Sequence, residues 1–114
     1  MHLISNRVVV ILKPKEPFIK WVQKHDDESE KMTAEDIMRE PAAYMLHDYS
    51  MEGEMKQIIK NNYRKLFESE LHHWFTDEES WPKKRDMKTF KEWFDVEFHG
   101  IVYDLSDKDY IREE

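Results

Sequence analysis

The chain has 114 residues, a net charge of −7, 38% charged, 39% hydrophobic and 13% aromatic side chains. That length fits one domain burying about two thirds of its unfolded surface, and the apolar content excludes a disordered tail. Cysteine is absent, which excludes a disulfide scaffold, a thiolate zinc site and a thiol nucleophile, and the longest apolar run, Val8 to Leu12, is too short to span a bilayer. In chain order, Arg7-Val-Val-Val-Ile-Leu12 is continuously apolar and β-branched, which predicts a central strand covered on both faces. Lys13-Pro14-Lys15-Glu16-Pro17 ends it, and Pro17 suits the first turn of a helix over 17–25 that carries Phe18, Trp21, Val22 and His25 on one side. Residues 26–31 read as a loop. Thr33-Ala-Glu-Asp36 has the form of a capping box, and Glu40-Pro41 ends the short helix it opens. Residues 42–48 alternate weakly, with Tyr44 and Leu46 on one face and Ala43, Met45 and His47 on the other, as in a strand.

The strongest helical pattern follows. Met51, Met55, Ile58, Ile59, Tyr63, Leu66, Phe67, Leu71, Trp74 and Phe75 recur with an eight-residue repeat. At about 100° per residue, eight residues overshoot two turns by about 80°, so the apolar stripe rotates along the helix. With no glycine or proline from 54 to 81, the helix is expected to pack first on a sheet and then on another helix rather than break. Thr76-Asp-Glu-Glu79 has a second capping-box form, and Trp81-Pro82 marks a turn. Asp86 then caps a helix bearing Met87, Phe90, Trp93 and Phe94, and 96–105 reads as the last strand, with Gly100 at a bulge or under an aromatic ring. The order predicts an α+β or α/β fold, β-α-α-β-α-α-β. Its three-stranded, partly parallel sheet is packed against amphipathic helices, with a right-handed first crossover joining parallel strands. Residues 1–114 form a single domain with a polar tail from about 106 to 114.

Two stretches carry a resemblance. Arg7-Val-Val-Val-Ile-Leu-Lys-Pro-Lys15, with Pro17, Phe18 and Trp21, resembles the opening of a family of small uncharacterised bacterial proteins of the structural-genomics type. Trp81-Pro-Lys-Lys-Arg85, followed by Phe90-Lys-Glu-Trp-Phe-Asp-Val-Glu-Phe-His99, resembles its closing signature; residues 24–40 have no counterpart. The resemblance implies no activity, cofactor or substrate, and it carries no catalytic residue to this chain.

Charge is segregated. Residues 7–25 sum to +4, 26–54 to −8, 56–94 to +2 and 95–114 to −5. A nucleic-acid binder needs a net cationic face, so the total argues against that partner. Trp81 and Arg85, with the Lys83–Lys91 patch, are nevertheless the arrangement that stacking plus phosphate contact would use. Glu68 and His72 are four apart on one helical face, as two metal ligands are, and His73, the acids Asp77 to Glu79 and the period-two set Asp95, Glu97 and His99 complete the titratable inventory. No His-Glu-x-x-His, G-x-S-x-G or glycine-rich phosphate loop is present, and helical Glu/His pairs on solvated faces are common. Lys13 and Lys15 precede a helix start, where an anion can sit, but no glycine is at hand to cradle a phosphate.

The leading expectation is a non-enzymatic protein-binding or accessory module, in the cytoplasm because no apolar leader is evident, without cofactor or membrane, and monomeric or homodimeric. The alternative is a metal-dependent or acid/base enzyme built from Glu68, His72, Asp95 and His99. Nucleic-acid binding through Trp81 and Lys83–Lys91 is third.

Overall fold

The apolar run near the start of the chain becomes the strand on which the sheet is built. The computed structural model describes residues 1–26, 32–47 and 54–113. Its elements run β1 (His2–Leu3), β2 (Arg7–Pro14), α1 (Glu16–His25), α2 (Ala34–Met38), β3 (Ala43–His47), α3 (Met55–Trp74), a 3-10 turn (Glu78–Ser80), α4 (Met87–Trp93), β4 (Phe94–His99) and β5 (Tyr103–Asp104). The expected loop over 27–31 and the first turn of the long helix at Met51 lie outside the described residues.

β2 is central, as expected, in a three-stranded sheet ordered β3-β2-β4, but both neighbours run antiparallel to it. The partly parallel sheet with a parallel first crossover is therefore corrected. A single crossover helix returns the chain to the strand's starting end. Here α1 leads away from the end of β2 and α2 leads back, so β3 enters beside it, with Ala43 paired to Ile11. α4 likewise ends against β2, where the Lys15 amide donates to the Trp93 carbonyl at 2.8 Å, and β4 must run back the other way. The simple β-α-α-β-α-α-β order is corrected too. Strand pairing in 96–105 stops after His99, and Tyr103–Asp104 pair with His2–Leu3 as a separate two-stranded ribbon. The Ile4 amide donates to the Val102 carbonyl at 2.8 Å, so the ribbon prolongs the β2–β4 pair past the sheet. A Cβ at Gly100 would lie 3.5 Å from the Phe98 ring, an ordinary contact.

Among the described residues, the helices cover one face of the sheet. Val8, Val10 and Leu12 are buried under the helices, while Val9 and Ile11 are half-buried on the far side. The apolar run predicted cover on both faces. On the far side long polar side chains do part of that work instead: Arg7 Nη1 lies 2.9 Å from His47 Nδ1, and Lys13 Nζ lies 3.1 Å from Glu97 Oε1. Beneath the inner face Phe18, Phe67, Phe90 and Phe94 form a ring cluster at most 2% exposed. Phe94 lies 4.9 Å from Phe18, 5.6 Å from Phe67 and 5.5 Å from Phe90, between ring centroids.

α3 is unbroken over its 20 residues. Its buried positions pass from Ile58 and Ile59 to Leu66 and Phe67 and then to Glu70 and Leu71, the rotation the eight-residue repeat requires. The Thr33 capping box closes, with the Asp36 amide donating to Thr33 Oγ1 at 3.1 Å and the Thr33 amide to Asp36 Oδ2 at 3.2 Å. After α3 the cap is Asp77 rather than Thr76: its Oδ1 accepts from the Glu79 amide at 3.0 Å.

α4 has seven residues and depends on its cap, since too few internal hydrogen bonds close in so short a helix. Asp86 Oδ1 accepts from the Thr89 amide at 2.8 Å. Asp86→Ala is expected to lower the midpoint of urea unfolding at neutral pH, and a midpoint equal to the parent's would contradict the capping role.

Candidate functional site

Of the concave features on the helical side of the sheet, two carry distinct chemistry. The larger is an open groove of about 660 Å³ between the first half of α3 and the α4–β4 junction. α3 supplies Met55, Ile59 and Tyr63, which share a face because they are four residues apart. α4 supplies Met87 and Phe90, and the edge strand β4 supplies Phe94 and Val96, so the floor is almost wholly apolar. The rim is cationic. Lys56 and Lys60 stand one turn apart on α3, Lys91 stands opposite on α4, and Asp95 is the acid at the border. All three lysines are exposed, and none is in an ion pair among the described residues. The volume falls within the range of ligand sites. An apolar floor under unneutralised cations suits a ligand that is apolar along one side and anionic along the other.

The smaller feature surrounds a buried carboxyl. Glu70 is 7% exposed on α3 and borders a cavity of about 60 Å³ together with Leu12, Phe18, Ile37 and Trp74, with Glu40 and His73 at its edge. Burial raises its pKa to about 7, opposed by hydrogen bonding from the Tyr44 hydroxyl. Tyr44 is itself raised, first by its own burial, and its hydroxyl lies 3.2 Å from Ser69 Oγ. The chemistry available is proton exchange near neutrality. The space admits water but not a metabolite, so the group acts on the fold rather than on a substrate.

The residues singled out from the sequence separate into structural roles. Trp81 is 8% exposed and its indole N–H donates to the Phe75 carbonyl at 2.8 Å, so its ring is not a free stacking platform. Arg85 lies 5.7 Å over the Trp81 ring, donates to the Pro82 carbonyl at 2.8 Å and reaches Glu68 at 3.5 Å. His72 meets the same indole edge-on at 6.4 Å. Glu68 and His72 thus stand on the helical side. His99, bonded to Glu97 at 3.0 Å, lies on the far face of the sheet, and Asp95 borders the groove at the β4 edge. Glu68, His72, Asp95 and His99 share no cavity among the described residues, and no group of three or more His, Asp or Glu side chains there could hold a metal. Lys15, considered for an anion, spends its amide on Trp93 and its ammonium on the Lys91 carbonyl at 3.1 Å. Lys91, part of the cationic patch noted in the sequence, does reach the groove.

Sequence reasoning missed Lys56, Lys60 and Glu70. The signal for Glu70 was present: it follows Phe67 by three residues and Leu66 by four, an acid inside the apolar stripe. Lys56 and Lys60 carry no such mark, since exposed lysines on a helix are ordinary. No protein-family model matches the chain, nor does any curated protein or solved structure.

The buried carboxyl predicts an unusual pH response. The folded pKa of about 7 stands above the ordinary 4.5, so the folded chain holds a proton that the unfolded chain has released. The corresponding stability is fully present below the ordinary value and is lost as pH rises through 7, by at most about 3 kcal/mol. Glu70→Gln is expected to leave stability at pH 5 nearly unchanged and to raise it at pH 8. Parallel urea titrations of parent and variant check this, and equal differences at the two pH values would contradict it.

Proposed function

We propose that this chain is a protein-binding or accessory module, and that its groove receives an acidic amphipathic segment of a partner. The observation that carries the reading is the pairing of an apolar floor with three exposed lysines that make no ion pair among the described residues, against the single border acid Asp95. On a chain of net charge −7, a local cationic rim around an apolar floor has a definite preference for its ligand. Side chains spaced as on an amphipathic helix or an extended strand would place apolar anchors against Met55, Tyr63, Met87 and Val96, the accessible apolar lining, and carboxylates at Lys56, Lys60 and Lys91. No described helix is long and apolar enough to cross a membrane, which agrees with binding from solution. For nucleic acid the support is thinner, because the aromatic needed for stacking is held in the core and Lys84 faces Asp86 at 3.9 Å.

Anisotropy of a labelled acidic amphipathic peptide at low salt tests the reading. Binding in the range of about 1–100 µM is expected, weaker at high salt. Lys60→Glu and Lys91→Glu are each expected to weaken it about tenfold, the effect of losing one close charge pair and gaining a repulsion. Binding that ignores both substitutions, or a scrambled peptide that binds equally well, would refute it.

A further inference from the structure

We propose that the segment filling the groove is residues 104–113 of a second copy of this chain, an assignment that rests on the groove reading above. Those residues have the required chemistry. Leu105, Tyr110 and Ile111 are large side chains 74%, 65% and 86% exposed, with only the Arg112 guanidinium, 5.9 Å from the Tyr110 ring centre, close over one of them. Asp104, Asp107, Asp109 and Glu113 alternate around them and outnumber Lys108 and Arg112. Net negative charge and apolar anchors on one short segment complement net positive charge and an apolar floor on the other.

Reach decides whose segment it is. The groove lies at the start of β4, at Phe94 and Val96, whereas β5 lies beyond its other end. From Val96 to Asp104 is eight residues, about 26 Å along an extended strand. Asp107 is then held at that far end by His2, with Oδ1 3.1 Å from Nε2. From Asp107 to Ile111 is four residues, at most about 14 Å even when fully extended. A chain therefore cannot place its own Tyr110 and Ile111 in its own groove while this contact stands, but it can place them in a neighbour's. Reciprocal exchange between two copies closes a two-fold dimer with two identical segment-in-groove contacts. The overall shape leaves room for it. The chain exposes 8937 Å², where a compact chain of this mass exposes roughly 6,700 Å². Its radius of gyration is 15.8 Å against about 13 Å expected.

Sedimentation velocity of the full chain over a concentration series, with anisotropy of a labelled 104–113 peptide, tests the assignment. A monomer–dimer equilibrium is expected that weakens about tenfold or more in high salt. Tyr110→Ser with Ile111→Asp, which alters only exposed side chains, is expected to abolish the dimer without shifting the melting curve recorded at concentrations where the parent is monomeric. Lys60→Glu is expected to weaken both the dimer and peptide binding. A chain that stays monomeric to about 500 µM, or a dimer indifferent to the Tyr110/Ile111 pair, overturns the proposal. An unrelated acidic amphipathic peptide separates the two levels. If it binds and the 104–113 peptide does not, the second-copy assignment fails while the groove reading stands; if neither binds, both fail.

Discussion

The fold turns on the ring of Phe94. It ends α4 and begins β4 with no intervening loop, and it packs at once on Phe18 from α1, Phe67 from α3 and Phe90 from α4. Aromatic rings this close gain from edge and tilted contacts beyond the area they bury. Because one residue is shared by a helix end, a strand start and the aromatic cluster, the direction of β4, the seat of α4 and the height of α3 are not independent. Phe94 and Phe90 also form part of the groove floor. The candidate binding surface therefore lies directly over the same buried cluster that holds the domain together, with Tyr63, Met87 and Val96 between the rings and solvent.

That coupling explains the lopsided architecture. All of the cover for the inner sheet face comes from helices gathered around these rings, and the outer face is left to Val9, Ile11 and Met45 under charged neighbours. Two further rings extend the cluster toward the end of α3. Trp21 donates to the Ser80 carbonyl at 2.9 Å and Trp81 to the Phe75 carbonyl at 2.8 Å, so both indoles close the turn after the long helix. The aromatic residues of this chain are thereby accounted for largely as structure. What they leave exposed is the groove, and its lysines turn an apolar defect into a surface with a charge preference.

The two unusual features of the helical face differ in kind. Glu70 is a cost carried by the fold: a carboxyl inside an apolar stripe, eased by Tyr44, in a cavity with room for water. The lysine rim costs the folded chain little, because each ammonium stays in water. A buried acid biases the stability of the domain with pH, whereas an exposed cationic rim is available to a partner. Keeping the two apart is what separates a role in folding from a role in binding.

The local patterns of this chain were legible residue by residue. Val8 to Leu12 marked the central strand, Thr33 and Asp36 a helix start, Asp86 another, and the eight-residue repeat announced a stripe that rotates. These follow from contacts between near neighbours, which backbone geometry fixes. Strand direction was not legible, because it depends on which end of β2 the intervening helices deliver the chain to, and tertiary packing decides that. Nor was the fate of Trp81, Glu68 and His72, since sequence shows which groups can react but not which ones meet. The groove belongs wholly to the tertiary structure. Lys56 and Lys60 acquire a shared purpose with Lys91 only when α3 and α4 are set side by side, a juxtaposition made by rings far apart in the chain and marked by no local pattern.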